Sequence, residues 1–325
     1  MGKLKAKAIA HPMQGLVKYH GLRDWRLRIP YHDSISVNLD SLYTISEVEF
    51  GEFERDELII NDRKVSGKAL ARVLAIIKRV RELANVNYKV RIVSRNSLPP
   101  YRVKGVGFSS AAGASIATAS FKALNLDKIF SWDIRLISRI ARLMAGSACR
   151  SVVGGYARWY AGNDDESSYA VKFADKNELD MITVVVPFYL NISTEKAHRD
   201  SISSPFFSTR IKSAQKRADE LEKAIKDGDF KKVGELVEQD TMELHAVTMT
   251  GKNRLMIYRK ESIELIRMVK QMREKDRILA YYSMQTGPTV FINTLPEYKD
   301  EIEMRLKSKG YEYITCRVGE GARII

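Results

Sequence analysis

Ser138-Arg139-Ile140-Ala141-Arg142-Leu143-Met144-Ala145-Gly146-Ser147-Ala148-Cys149-Arg150-Ser151 reads as the end of a helix, a run of small residues, and an arginine just beyond. Upstream, Asp133 is a helix-capping residue type, and Ile134, Ile137, Ile140 and Ala141 fall on one side of the helix it opens. Small residues let backbone approach a bound molecule closely. Arg150 offers a planar fork of donors that fits a carboxylate or a phosphate. The stretch therefore predicts an anion site built where a helix ends.

Working outward, short alternating runs such as Ser36-Val37-Asn38-Leu39 and Glu47-Val48-Glu49-Phe50 predict strands in the first 60 residues. Ser66 stands before a helix with Leu70, Val73, Leu74 and Ile77 on its buried face. Tyr88 to Val93 reads as a strand. Pro99-Pro100 breaks the chain before the loop Gly105-Val106-Gly107-Phe108-Ser109-Ser110, and a small-residue helix follows from Ala111. On the C-terminal side, Thr183 to Leu190 is an apolar run that predicts a buried strand. Helices are expected over 208–227, 231–246 and 260–276, two strands around Gly287-Pro288, and a last strand over Tyr311 to Val318. The pattern is α+β, with a seam near residue 180 between two halves, 1–180 and 181–325, that share one cleft.

Composition narrows the function. The 325 residues carry Lys+Arg 54 against Asp+Glu 40, a formal charge of +14. Such an excess attracts anions. The basic residues are interleaved with acids, as in Lys216-Arg217-Ala218-Asp219-Glu220, and form no basic block. Small phosphorylated molecules are therefore expected as partners, and nucleic acid is not. No apolar run reaches 18 residues, and the lysine-bearing start Met1 to Lys7 has no apolar stretch behind it, so neither a membrane span nor a signal peptide is expected. Two cysteines, Cys149 and Cys316, have no metal-site spacing and fit a reducing cytoplasm; no metal is expected.

The quoted stretch resembles the helix-to-loop segment of mevalonate diphosphate decarboxylases, enzymes of the GHMP kinase superfamily. The resemblance extends in order along nearly the whole chain. Lys18-Tyr19-His20-Gly21-Leu22 is similar to the family's lysine-tyrosine-tryptophan-glycine-lysine run. Pro30 to Val37 is similar to its proline-led strand entry, and Ser109-Ser110-Ala111-Ala112-Gly113 to its phosphate loop. Gln285-Thr286-Gly287-Pro288-Thr289 stands where relatives have aspartate-alanine-glycine-proline-asparagine. The resemblance implies a two-layer GHMP-kinase-like fold with a ferredoxin-like C-terminal half, a cytoplasmic homodimer, and a carboxy-lyase. It also implies catalytic roles for Arg150 and Ser147, and substrate contacts from Lys18, Tyr19, His20, Lys68, Arg72, Ser110, Arg199 and Gln285. His245, within an apolar helix, is expected to be a buried hydrogen-bonded histidine.

The departures shape the expected reaction. In ATP-dependent relatives the aspartate activates the tertiary hydroxyl for phosphorylation, and the second lysine positions it. Here those positions hold Gln285 and Leu22. Glutamine takes no proton at neutral pH. Phe108, between Gly107 and the serines, is bulky for a loop that must approach a triphosphate closely. With the arginine of the decarboxylation step retained, the expected reaction needs no ATP and no cofactor: mevalonate 3,5-bisphosphate to isopentenyl phosphate, carbon dioxide and phosphate. The alternatives are an ATP-dependent phosphomevalonate or diphosphomevalonate decarboxylase, a mevalonate 3-kinase, and a non-catalytic binder.

Overall fold

The computed structural model describes residues 4–98, 105–190 and 193–325. Pro99-Pro100 lies outside them. Three sheets carry the chain. The first is six-stranded, in the order Arg323–Ile324, Leu4–Ala10, Thr44–Gly51, Lys89–Asn96, Glu57–Ile60 and Arg63–Val65. The second runs Met13–Val17, Ser34–Asn38, Tyr156–Trp159, Ala170–Ala174. The third runs Ala280–Met284, Val290–Thr294, Ile182–Val186, Ile314–Cys316. Thr44–Gly51 alternates buried and half-buried, as a sheet with one covered face should. Ile182–Val186 is buried throughout.

Among the described residues nine helices pack on these sheets: α1 (Gly67–Ala84), α2 (Phe108–Ala123), α3 (Ile134–Arg142), α4 (Ala148–Val153), α5 (Thr194–Ser201), α6 (Phe207–Lys226), α7 (Phe230–Met249), α8 (Lys260–Lys275) and α9 (Lys299–Ser308). Val73, Ile76, Ile77 and Val80 bury one face of α1 against the first sheet. α2 is buried along most of its length, which its alanines and serines permit. Asp133 caps α3, its carboxylate accepting from the Leu136 amide at 3.0 Å.

Four expectations are corrected. The small-residue helix begins at Phe108 rather than Ala111. The apolar strand stops at Val186, since Pro187 cannot donate to a ladder. The last strand shortens to Ile314–Cys316, and Arg323–Ile324 instead returns to pair with Leu4–Ala10. Helices α5 and α9 had no sequence counterpart, because their polar, charged faces carry weak apolar periodicity.

Candidate active site

The helix-to-loop turn predicted at 138–151 sits between α3 and α4, and two cavities meet over it. One, of about 360 Å³, is lined by Arg150, Gln285 and the loop Gly105–Ser109. The other, of about 400 Å³, is lined by Arg28, Lys68, Arg72 and Glu195. Tyr19, Ser109, Ser147, Thr194 and His198 line both, so the two form one cleft. A Cβ placed on Gly146 would lie 2.9 Å from the Trp159 ring and 3.0 Å from the Tyr19 hydroxyl. That contact explains why this turn needs glycine.

Arg150 is 1% exposed. Its guanidinium lies 5.8 Å from the ring centres of both Tyr19 and Trp159. One nitrogen donates to the Ile35 carbonyl at 3.4 Å, while Nε is buried without a partner. Among the described residues no carboxylate pairs with it. Arg142, equally buried, is by contrast neutralised by Asp165 at 2.5 Å. Burial lowers the Arg150 pKa. A buried cation without a counter-ion is costly unless a ligand supplies one. Ser147 opens α4, and its hydroxyl caps nothing there.

Around Arg150 the aromatic side chains form a rigid wall. Tyr19 stacks on His198 at 4.8 Å and meets Trp159 edge-on at 4.9 Å. The Gly21 amide donates to His198 Nδ1 at 3.0 Å, which fixes the imidazole proton on Nε2. Burial, aided by Arg28, pushes the His198 pKa down to about 4, so it is a neutral donor at pH 7. Sequence reading passed over His198 for its neighbour Arg199. The missing signal was α5 itself, whose buried Ala197, His198 and Ser201 mark one face.

The other expected residues are distributed as follows. Lys18 meets the cleft with its stem. Its ammonium donates to Thr241 Oγ1 at 3.0 Å, Asp240 at 3.2 Å and the Leu16 carbonyl at 3.4 Å. Burial brings its pKa down to about 8, against the pull of Asp240. Lys68 and Arg72, one turn apart on α1, both reach the second cavity. Arg72 donates twice to the Met144 carbonyl, at 3.1 and 3.2 Å, and Arg28 donates to the Leu143 carbonyl at 2.8 Å. Gln285 lines the first cavity and donates to the Gly15 carbonyl at 3.1 Å.

Three residues stand away from the cleft surface. His20 is 1% exposed behind His198, 3.0 Å from the Thr248 hydroxyl. Ser110 is fully buried and donates to the Gly107 carbonyl at 2.6 Å, so Ser109 is the loop serine on the cleft. Arg199 stacks on Trp25 at 3.7 Å, outside both cavities, and pairs with Glu195 at 3.3 Å. Asp200 binds the Asn253 amide rather than facing the cleft. His245 is buried, with Nε2 donating to the Gln285 carbonyl at 3.0 Å and Nδ1 2.6 Å from the Tyr258 hydroxyl. Phe108 packs against the cluster of Leu39, Val106 and Phe291 and also lines the first cavity. Gly107 precedes α2 with φ of 85°, a value suited to glycine.

The fold has close counterparts. Residues 10–170 match the diphosphomevalonate decarboxylase-like N-terminal domain, and residues 189–315 the mevalonate 5-diphosphate decarboxylase C-terminal domain. The mevalonate diphosphate decarboxylase of Staphylococcus aureus superposes with a TM-score of 0.92 at 30% identity, over 99% of this chain and 98% of that one. The Enterococcus faecalis enzyme, described for its mevalonate diphosphate mediated ATP binding, gives 0.91 at 27%, over 100% and 99%. The chain belongs to the diphosphomevalonate decarboxylase family, has its GHMP-like fold, and is a carboxy-lyase. It is 36% identical to the phosphomevalonate decarboxylase of Haloferax volcanii, over 99% of this chain and 98% of that one. It is 23% identical to the mevalonate 3,5-bisphosphate decarboxylase of Thermoplasma acidophilum, over 94% and 76%. No described helix is long and apolar enough to cross a membrane.

Proposed function

We propose that the protein is a phosphomevalonate decarboxylase that forms isopentenyl phosphate, carbon dioxide and phosphate. The carrying observation is Arg150, a buried guanidinium with no carboxylate partner among the described residues. In this reading the substrate carboxylate is its counter-ion. Ser147 and the His198 Nε2 proton face the middle of the substrate, and Arg28, Lys68 and Arg72 hold the C5 phosphate. As the carboxylate leaves, the electron pair of its carbon–carbon bond becomes the new double bond, and the C3–O pair departs with phosphate. No base is consumed. The cleft must exclude water and stabilise charge on the departing phosphate.

In this reading the C3 hydroxyl oxygen attacks the γ-phosphorus of a nucleoside triphosphate lying along the Gly105–Ser109 loop, the nucleoside diphosphate departs as the γ-phosphorus–oxygen bond breaks, and the hydroxyl proton passes to an oxygen of the transferred phosphate. One observation supports this route over the ATP-free one that the sequence suggested: the full-length likeness is greater to the Haloferax protein than to the Thermoplasma one. Phosphoryl transfer passes through a loose transition state governed by positioning and electrostatics, so Gln285 in place of an aspartate is compatible with it.

A second reading is favoured by a different observation. Among the described residues, the cavity beside Gln285 is lined by no aspartate or glutamate. In that reading mevalonate 3,5-bisphosphate enters ready-made, and no nucleotide is used.

One set of incubations separates the two. Carbon dioxide from mevalonate 5-phosphate, released only with ATP and matched by ADP, is the expected result. Release from the 3,5-bisphosphate without nucleotide, together with inert 5-phosphate plus ATP, would establish the second reading. Inertness of both substrates would end both readings. In either case Gln285→Ala is expected to lose less than about tenfold in kcat, the worth of one neutral hydrogen bond. A collapse to background would assign Gln285 a chemical role.

A further inference from the structure

The second cavity contains a charge that an anion site does not need. Its ionic lining is Arg28, Lys68, Arg72 and one carboxylate, Glu195. Glu195 occupies the first turn of α5, with Oε2 3.4 Å from Lys68 Nζ and Oε1 3.3 Å from Arg199 Nη2. Its side chain is 31% exposed, so it stands at the rim rather than in the packing. Lys68 is 81% exposed and has no other ionic partner among the described residues. Arg28 and Arg72, deeper in, each spend one edge on a main-chain carbonyl, and the other edge has no hydrogen-bond partner among the described residues.

The charges set a capacity. Within this cavity three cations and one carboxylate leave a net charge of plus two, which balances the dianion of a phosphate monoester; Arg199, which shares Glu195, lies outside it. A diphosphate ester is longer and carries a further negative charge. Its outer phosphate would extend toward the rim and meet the Glu195 carboxylate. It would also have to compete with Glu195 for Lys68. Like charges a few ångströms apart in a partly buried site repel strongly enough to set specificity.

We propose that Glu195 is a specificity-determining residue that admits a single phosphate on C5 and rejects a diphosphate. This deepens the proposed function and rests on its reading of the second cavity as the C5 phosphate site. Glu195 touches no reacting atom. It acts by neutralising Lys68 and by presenting a negative charge where a second phosphate would lie.

The test pairs turnover with binding. For the parent protein, Glu195→Gln and Glu195→Asp, kcat/KM is measured with ATP on mevalonate 5-phosphate and mevalonate 5-diphosphate. Affinities for isopentenyl phosphate and isopentenyl diphosphate are measured by calorimetry. The parent should prefer the monophosphate in both assays. Glu195→Gln should shift both preferences toward the diphosphate by about tenfold or more, the scale of one removed like-charge contact. Glu195→Asp, which keeps the charge, should retain most of the parent preference. A Glu195→Gln variant that lowers or raises both ligands alike overturns the inference. So does a parent that prefers the diphosphate. If the binding preference shifts as expected while no substrate is turned over, the inference stands and the proposed reaction fails. If turnover proceeds and the ratio does not move, the reaction stands and the role of Glu195 fails.

Discussion

Arg150→Gln should lower kcat by about 100-fold or more while leaving the protein folded. The glutamine fills most of the volume, and the long Nη1 bond to the Ile35 carbonyl at 3.4 Å is a small loss. It cannot supply the positive charge held between Tyr19 and Trp159, which the proposed function pairs with the substrate carboxylate. Losing the alignment of the reacting bonds costs about 100-fold. The loss should fall on kcat as well as kcat/KM, because in the proposed reaction Arg150 holds the breaking carbon–carbon bond in line with the departing C3–O bond, and misalignment slows the step itself. A variant with near-parental kcat would take Arg150 out of the mechanism, and with it the observation on which the proposed function rests.

Asp240→Ala should destabilise the fold by about 3–5 kcal/mol, the cost of stranding buried charge. Asp240 is fully buried and is the hub for three cations. It accepts from Arg210 at 2.6 Å, Lys18 at 3.2 Å and Arg217 at 3.4 Å, and from the Lys18 amide at 3.1 Å. Glu243 pairs with Arg210 and Arg217 but not with Lys18. Burial pushes the Asp240 pKa up, but the three cations prevail and bring it down to about 2. A carboxyl depressed on folding contributes stability above its unfolded value near 3.8, and that contribution is lost as pH falls through about 2. Denaturant titrations of parent and variant should therefore differ by the full amount at pH 7 and by progressively less as pH falls from about 4 toward 2. Equal midpoints at pH 7 would show that the hub holds nothing in place.

The helix-to-loop turn was legible because two local rules coincide there. Asp133 caps α3 through its side chain, and glycine is required at 146 by direct contact. Arg150, Ser147, Tyr19, Lys68, Arg72 and Gln285 all come to the one cleft. Motif order alone did not separate Ser109 from Ser110, since one step along a helix start exchanges cleft for core. His198 and Glu195 were not legible. Both sit on α5, an eight-residue polar helix with no apolar stripe to announce it. Arg28 was hidden for another reason. It has φ of 55°, a left-handed backbone that periodicity does not reveal, and only tertiary packing brings it beside Arg72.

Tyr19, Ser109, Ser147, Thr194 and His198 belong to both halves of the cleft. A molecule cannot settle its tail without pressing on the side chains that align its head. Recognition and reaction are therefore mechanically joined, and a ligand lacking its tail forfeits speed as well as grip.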